Sequence, residues 1–328
     1  MLRHATLALA VAALVSGCSR DDPDAKRRLF SRDDAGAGGV RTFDFERPLS
    51  ALAVGPDDVA RGLGSFEWTA VVEWTVTRPG EDARRARVVE RHRIRQSATG
   101  EFDLLADLDP GLGAGSDTGK EVVFAGGRTY ARAKHAPFRE RPTDRGRDAR
   151  RFRDESFFAA AALARLYGDA LTATAAGEAT VLGRPARRYR LALARGVSPP
   201  PAAPRPAGLP PPDEDTRRRL RFLDGRVPAS ADGELLLDAA TGAPLKVRLA
   251  GAFTVKDEPG VRATVELLAQ VKALGGEVAA IVAPKSALPD ERKPAGVAAA
   301  LDAAGLRKRG EEEGGKAGRA EPADDPQD

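Results

Sequence analysis

The stretch that decides the fold reads Phe66-Glu67-Trp68-Thr69-Ala70-Val71-Val72-Glu73-Trp74-Thr75-Val76-Thr77. Its even-numbered residues are all apolar, and most of its odd-numbered residues are polar. Successive side chains of a β-strand point to opposite faces of a sheet, so a period of two predicts a strand with one buried face. The stretch therefore predicts a sheet that is apolar on one side and polar on the other.

The next two segments continue this pattern and carry opposite charges. The strand predicted from Arg84 to Gln96 places a row of arginines on its polar face, and the strand that follows carries a row of aspartates there. A hairpin between these strands brings Arg95 near Asp103 and Arg91 near Asp107. Opposite charges across neighbouring strands stabilise a sheet and help to set its register. We interpret the arginine row as a solvated charge ladder, and a stripe that binds a polyanion is the alternative.

Helix signals interrupt the strands at two places. Residues 56–64 begin with proline and acidic residues and end with glycine, which predicts a short helix. The segment from Phe138 to Arg153 is rich in charge and proline, which predicts an exposed loop. Asp154 is then the expected N-cap of a helix that ends at Gly168. Further strand patterns run to about Leu274, so the pattern predicts a mainly β protein with a few helices, of the α+β class.

The first residues of the sequence have the pattern of an export signal. A basic start precedes an apolar run, from Ala5 to Val15, that is too short to span a bilayer. The run ends in Val15-Ser16-Gly17-Cys18, which resembles the bacterial lipobox. That resemblance implies cleavage before Cys18 and acylation of its sulfur and its amine. An ordinary signal peptide with a chance cysteine is the alternative.

The cysteine count agrees with lipidation. Cys18 is the only cysteine in the sequence, so no disulfide can form within the chain. Ser19 follows it, and in Gram-negative lipoproteins serine at this position usually goes with export to the outer membrane. We therefore expect a lipid-anchored envelope protein that faces the periplasm, with the outer membrane favoured over the inner membrane.

The sequence predicts four regions. They are a signal peptide (1–17), a lipidated polar tether (18–48), a single β-rich domain (49–283) with a proline-rich insertion (197–215), and a disordered or partly helical charged tail (284–328). The formal net charge of +4 is small for 328 residues, so it gives no reason to expect a nucleic-acid partner.

Motifs for catalysis are missing from the sequence. The three histidines, His4, His92 and His135, have no metal-binding spacing with each other or with the single cysteine. There is no Gly-x-Ser-x-Gly motif, and Lys120 at the end of a glycine-rich segment is not followed by Ser or Thr as in a phosphate-binding loop. We therefore expect a protein that is not an enzyme and that uses no metal or other cofactor.

Three short phrases resemble a known family. They are Gly62-Leu63-Gly64-Ser65-Phe66, Gly183-Arg184-Pro185-Ala186-Arg187-Arg188-Tyr189-Arg190-Leu191 and Leu237-Asp238-Ala239-Ala240-Thr241-Gly242-Ala243-Pro244-Leu245. Similar phrases recur in the periplasmic lipoprotein-carrier superfamily, which includes the lipoprotein chaperone and its outer-membrane receptor. The resemblance covers about residues 50 to 275. It implies an antiparallel, strongly curved sheet or open half-barrel, with one or two helices on its concave face.

The resemblance also implies where a ligand would bind. Proteins of this superfamily shelter acyl chains on the concave face. The corresponding candidates here are the inward-facing residues Phe66, Trp68, Trp74, Phe102, Leu104 and Phe124, with Phe157 and Phe158 on the plugging helix. Plain core packing is the alternative for all of them. The expected functions are therefore binding or carrying of a lipid or acyl chain or, alternatively, a non-catalytic envelope scaffold or protein-interaction module, whose protein partner the sequence does not identify.

Replacement of Cys18 tests the anchor. Several buried acyl chains hold a protein on a membrane almost permanently, since each buried CH₂ contributes about 0.8 kcal/mol. Cys18→Ser should therefore move the protein from the membrane fraction to the soluble fraction of a cell lysate. Ser31→Ala, in the same polar segment, is the control and should leave fractionation unchanged. A Cys18→Ser protein that stays with the membrane would contradict the anchor.

Overall fold

The computed structural model describes residues 44–78, 84–113, 115–141, 146–194, 196–197, 214–256 and 258–289. Several sequence predictions concern residues outside these ranges. They are the signal peptide (1–17), the lipidation site Cys18, the tether before Asp44, residues 198–213 of the proline-rich insertion, and the tail from residue 290.

Twelve strands in the described part of the chain form one sheet. The strands are β1 (Phe66–Arg78), β2 (Arg84–Gln96), β3 (Phe102–Asp109), β4 (Thr118–Ala125), β5 (Arg128–Ala133), β6 (Arg139–Arg141), β7 (Leu171–Val181), β8 (Arg184–Leu193), β9 (Arg226–Asp238), β10 (Pro244–Val255), β11 (Glu258–Leu274) and β12 (Leu288–Pro289). The helices are α1 (Pro56–Leu63), α2 (Arg147–Phe157), α3 (Ala159–Tyr167) and α4 (Glu214–Gly225), with 3₁₀ turns at Pro48–Ala53, Gly168–Ala170 and Gly275–Glu277.

The order across the sheet is β12-β6-β5-β4-β3-β2-β1-β11-β10-β9-β8-β7. Two antiparallel meanders, β1 to β6 and β7 to β11, therefore meet where β1 pairs with β11. The sheet is curved and open, with β7 at one edge and β12 at the other, where β12 pairs with β6 in parallel. This arrangement confirms the predicted mainly β fold with a curved, open sheet.

The two faces of the sheet differ as the alternation in β1 predicts. We call the side that carries Phe66, Trp68 and Ala70 the inner face, and all three residues are buried there. Helices α1, α2 and α3 contribute to the same hydrophobic core, so they cover this face. Val76, near the end of β1, is exposed although the alternation predicts that it is buried.

The largest error of the sequence analysis lies between Phe138 and Arg153. The predicted exposed loop instead contains β6 and most of α2, which begins at Arg147 rather than after Asp154. Residues 149, 153 and 157 follow one another at helical spacing, and all three are buried. Of the charged residues in this part of α2, Arg147 and Arg151 are exposed, whereas Asp148 and Arg150 are half-buried. The N-terminal part of the helix is thus stabilised by tertiary contacts, which segment composition does not reveal.

The predicted charge ladder is present on the opposite, outer face. Arg95 lies opposite Asp103 and Arg91 lies opposite Asp107, as expected. The Arg95 Nε donates to Asp103 Oδ2 at 2.9 Å. Asp107, however, pairs with the ammonium group of Lys134 at 3.1 Å. These ion pairs support the interpretation as a ladder over that of a polyanion-binding stripe.

The three phrases that carry the family resemblance meet at one corner of the fold. Arg184 Nε donates to Asp238 Oδ2 at 2.6 Å and links the start of β8 to the end of β9. Asp238 Oδ1 accepts hydrogen bonds from the backbone and the hydroxyl group of Thr241, which close the turn into β10. A Cβ atom on Gly62 of α1 would lie 3.1 Å from Thr241 Cβ. The phrases therefore have a structural role, since they join α1 to two turns of the second meander.

The chain after β11 crosses the outer face. Residues 275–287 connect β11 to β12, and β12 lies on the far side of the first meander. On the way, Ile281 and Ala283 pack on Val123 and Tyr130 in a second, smaller hydrophobic cluster. The segment thus covers outer-face apolar side chains of β4 and β5.

Gly251 on β10 provides a test of the packing between α3 and the sheet. A Cβ atom at this position would clash with the hydroxyl oxygen of Tyr167, which donates to the Ser230 carbonyl. Gly251→Ala should therefore lower the free energy of unfolding by about 1–3 kcal/mol, the usual cost of overpacking. Gly276→Ala is the control, because a Cβ atom there has no neighbour within 4 Å. Equal stability of the two variants in urea titrations would contradict this packing.

Candidate functional site

The first group of candidate residues surrounds Trp68. The ring of Phe157 on α2 lies 5.1 Å from that of Trp68 and 6.2 Å from that of Phe66. Phe158 follows at the joint between α2 and α3, where its ring is 5.8 Å from Phe157 and half-buried. The structure therefore brings the predicted plugging helix onto the inner face of β1.

The second group lies on β3 and β4. Phe102 and Phe124 have ring centroids 5.6 Å apart, and Leu104 is buried in the same core. The guanidinium group of Arg153 lies 4.7 Å from the Phe102 ring, and that of Arg150 lies 4.9 Å from the Phe124 ring. Helix α2 thus covers this part of the inner face with cation–π contacts.

Trp74 belongs to a third group, away from α2. Its ring is 6.4 Å from Phe222 on α4 and 6.3 Å from Phe253 on β10. Phe253 in turn lies 4.6 Å from Tyr167 at the end of α3. The candidates predicted from the sequence do not include Phe222, Phe253 or Tyr167. Phe253 could have been found, because it continues the inward alternation of Leu245 and Val247 along β10.

An ion pair between the buried Arg153 and the half-exposed Asp57 attaches α2 to the rest of the domain. The Nη1 and Nη2 atoms of Arg153 donate to the two carboxylate oxygens of Asp57 at 2.7 and 2.9 Å. Arg153 Nη1 also donates to Gln96 Oε1 at 3.1 Å, and its Nε donates to Asp154 Oδ1 at 2.9 Å. Gln96 Nε2 donates to Asp57 Oδ1 at 2.9 Å. We call Asp57, Gln96 and Arg153 the latch, because they join α1, β2 and α2.

The two ends of the latch differ in their access to water. The Arg153 side chain is 2% exposed, whereas that of Asp57 is 51% exposed. Burial raises the pKa of Asp57, but the hydrogen bonds and charge of Arg153 together with the amide of Gln96 bring it below the ordinary aspartate value. Asp57 is therefore ionised at neutral pH and balances the buried guanidinium.

The latch was not predicted from the sequence, because each of its members has an ordinary interpretation there. Asp57 serves as an acidic residue in the first turn of a helix, and Arg153 is one of many arginines in a charged segment. One signal was available. Arg153 lies four residues before Phe157, so extension of the helical period towards the N-terminus would have placed it on the buried side of α2.

One polar atom in the first group has no partner. The Nε1–H of Trp68 is buried and has no hydrogen-bond acceptor among the described residues. A buried tryptophan N–H usually finds an acceptor. Trp68 belongs to the main hydrophobic core and contacts Phe157, so this donor is on a residue at the place where α2 meets β1.

The candidate residues therefore lie on the inner face or on the helix that covers it. They form three groups, and the members of each group contact one another or neighbouring aromatic residues. In the structure they pack against each other and against the helices. Contact between these residues and a ligand stays a prediction.

The described residues also give information on two other kinds of site. They contain no group of three or more His, Cys, Asp or Glu side chains arranged to hold a metal ion. None of their helices is both long enough and apolar enough to cross a bilayer.

Comparison with known proteins gives only distant likenesses. No model of a known protein family and no curated protein matches the sequence. A DUF1329 family protein from Desulfovibrio piger is 8% identical, with a TM-score of 0.22, and the match covers 70% of this chain and 93% of that one. A LolA superfamily protein from Nitrosomonas europaea is 8% identical, with a TM-score of 0.21 and coverage of 74% and 99%.

A third solved structure is a putative outer membrane lipoprotein-sorting protein domain from Vibrio parahaemolyticus. It is 11% identical, with a TM-score of 0.21, and the match covers 71% of this chain and 96% of that one. At these identities and TM-scores the likenesses carry no argument about the ligand of this chain.

The unequal exposure of Asp57 and Arg153 predicts unequal effects of their replacement. Asp57→Ala leaves a buried guanidinium without its main partner and should lower the free energy of unfolding by about 3 kcal/mol. Arg153→Met leaves a carboxylate that water can reach and removes one donor from the buried Gln96 amide oxygen, so it should cost about 1–2 kcal/mol. Asp58→Ala is the matched control, because the ion-pair partner of Asp58 among the described residues is the exposed Arg61. Urea titrations that show the reverse order would contradict the latch.

Proposed function

We propose that this is a lipid-anchored cell-envelope protein that binds or carries an acyl-bearing lipid on the inner face of its sheet. The observation that carries the proposal is the unpartnered Nε1–H of Trp68. An acyl ester has the two properties that this place requires. Its chain is apolar, like the surrounding core, and its carbonyl oxygen can accept the indole hydrogen bond.

Access for such a ligand requires movement of α2. Phe157 covers Trp68 and Phe66, so an acyl chain at Trp68 takes the place of the Phe157 ring. The polar contacts of Arg153 lie on the same side of α2 as Phe157, and α2 is joined to α3 at Phe158. The Arg153–Asp57 ion pair, the Phe157 ring and the cation–π contacts of Arg150 and Arg153 hold α2 on this face, and the sheet stays intact when α2 gives up these contacts. We therefore assign α2 the role of a cover that a lipid displaces.

Features of the sequence also support the proposal. The three phrases that resemble the lipoprotein-carrier superfamily agree with an acyl ligand, and the lipobox-like segment agrees with an envelope location on the periplasmic side. The proposed role is non-catalytic and requires no cofactor. The outer membrane is the proposed attachment site, because serine follows Cys18.

A second candidate function is a non-catalytic scaffold or protein-interaction module in the envelope. The observation that favours it is the complete burial of Phe66, Phe102 and Leu104. Side chains that are buried so completely can form a stable, close-packed core without a ligand. In this case the inner face serves stability alone, and function lies on the charged exterior.

The two tryptophans of the chain allow these functions to be separated. Trp74→Phe leaves Trp68 as the only tryptophan, and Trp68→Phe leaves Trp74 alone. Both variants are made in the full chain with Cys18→Ser, so that the protein is soluble and carries no acyl anchor. Titration with 9,10-dibromostearate should quench Trp68 emission with a saturable curve, because bromine quenches only at short range. Unbrominated stearate should compete without quenching.

The outcome for Trp74 gives the control. Trp74 belongs to the group with Phe222 and Phe253, so its emission should fall less than that of Trp68. Absence of saturable quenching at Trp68, together with absence of lipid in organic extracts of the purified protein, would overturn the proposal and favour the scaffold.

A further inference from the structure

An open groove of about 720 Å³ runs along the side of α2 and α3. The groove spans the joint between the two helices at Phe158. We call it the arginine groove, and its lining residues are Arg147, Arg150, Arg151, Asp154, Glu155, Phe158, Ala162 and Arg165.

The groove carries more positive than negative charge. Four guanidinium groups and two carboxylates line it. Asp154 forms an ion pair with Arg153 of the latch. Glu155 Oε1 lies 3.9 Å from Arg151 Nε. Arg147 and Arg165 are exposed and form no ion pair with a described residue. These two guanidinium groups are therefore available to an anion.

The groove is also linked to the apolar core. Phe158 lines it, and the Phe158 ring is 5.8 Å from Phe157. Phe157 in turn contacts Trp68 at 5.1 Å. Two consecutive aromatic residues thus connect the charged surface of the helix pair with the candidate ligand position on the inner face. An amphiphile could place its apolar part at Trp68 and its polar part among the arginines.

We propose that the arginine groove binds the phosphate group of an anionic lipid whose acyl chain lies on the inner face. This inference rests on the proposed function and adds the class of lipid to it. Guanidinium groups suit phosphate because their planar N–H fork matches two phosphate oxygens, and such charge-assisted hydrogen bonds are among the strong ones in proteins. Phe158 completes the site as the point where headgroup and acyl chain divide.

The test compares lipids that differ only in phosphate. The full chain with Cys18→Ser is titrated with oleoyl lysophosphatidic acid, with monooleoylglycerol and with inorganic phosphate, each below any micelle-forming concentration. The double variant Arg147→Gln, Arg165→Gln removes the two available guanidinium groups. The control double variant Arg188→Gln, Arg248→Gln removes the same charge from exposed positions on β8 and β10.

We expect the protein to bind lysophosphatidic acid about tenfold or more tightly than monooleoylglycerol, as a charge-assisted phosphate contact allows. The Arg147, Arg165 variant should lose this preference and retain its affinity for monooleoylglycerol. The control variant should keep both affinities. Retention of the preference by the Arg147, Arg165 variant, or an equal loss in the control variant, would overturn the assignment to the groove.

The remaining outcomes separate this inference from the proposed function. Equal binding of both lipids by the unsubstituted groove would overturn the phosphate site and leave the acyl-binding function standing. Binding of neither lipid would overturn both. Inorganic phosphate that binds as tightly as lysophosphatidic acid would assign the groove to free phosphate and refute a lipid headgroup as its ligand.

Discussion

The pairing of β1 with β11 is the interaction on which the rest of the structure depends. It runs from Phe66 opposite Leu274 to Thr77 opposite Arg262 and joins two meanders that are separate along the chain. Without this ladder each meander would be a smaller sheet with another open edge. With it, the apolar residues of both meanders face the same side. One continuous inner face then lies beneath the helices that connect β6 to β7.

The inner face needs a cover, and the chain attaches that cover by two different means. Phe157 packs on the aromatic residues of β1 through apolar contact, whereas Arg153 joins α2 to Asp57 through a directional ion pair. Apolar contact stabilises in proportion to buried area and tolerates sliding, while a bidentate ion pair defines one position. The combination places Arg153 and Phe157 on the sheet side of α2 and leaves Arg147 and Arg165 in the groove outside.

Particular residues show how far local patterns could predict this arrangement. The alternation in β1 predicted the inner face, and the opposite charges of Arg95 and Asp103 predicted the register of β2 with β3, because a strand and its neighbour obey short-range rules. The segment from Phe138 to Arg153 was predicted wrongly as an exposed loop. Its charge density is typical of exposed chain, and the burial of Arg153 depends on Asp57, which lies 96 residues earlier in the sequence.

The sequence by itself determined the mainly β character of the protein and the sidedness of β1, because side-chain alternation is a property of the strand alone. The candidate aromatic residues followed from the family resemblance. The tertiary structure decided which of those aromatics meet. It placed Trp68 under Phe157, Trp74 beside Phe222 and Phe253, and Arg153 against Asp57. The physical reason is that these contacts join elements far apart in the chain. Their energies depend on burial and geometry that exist only once the two meanders and the helices have come together.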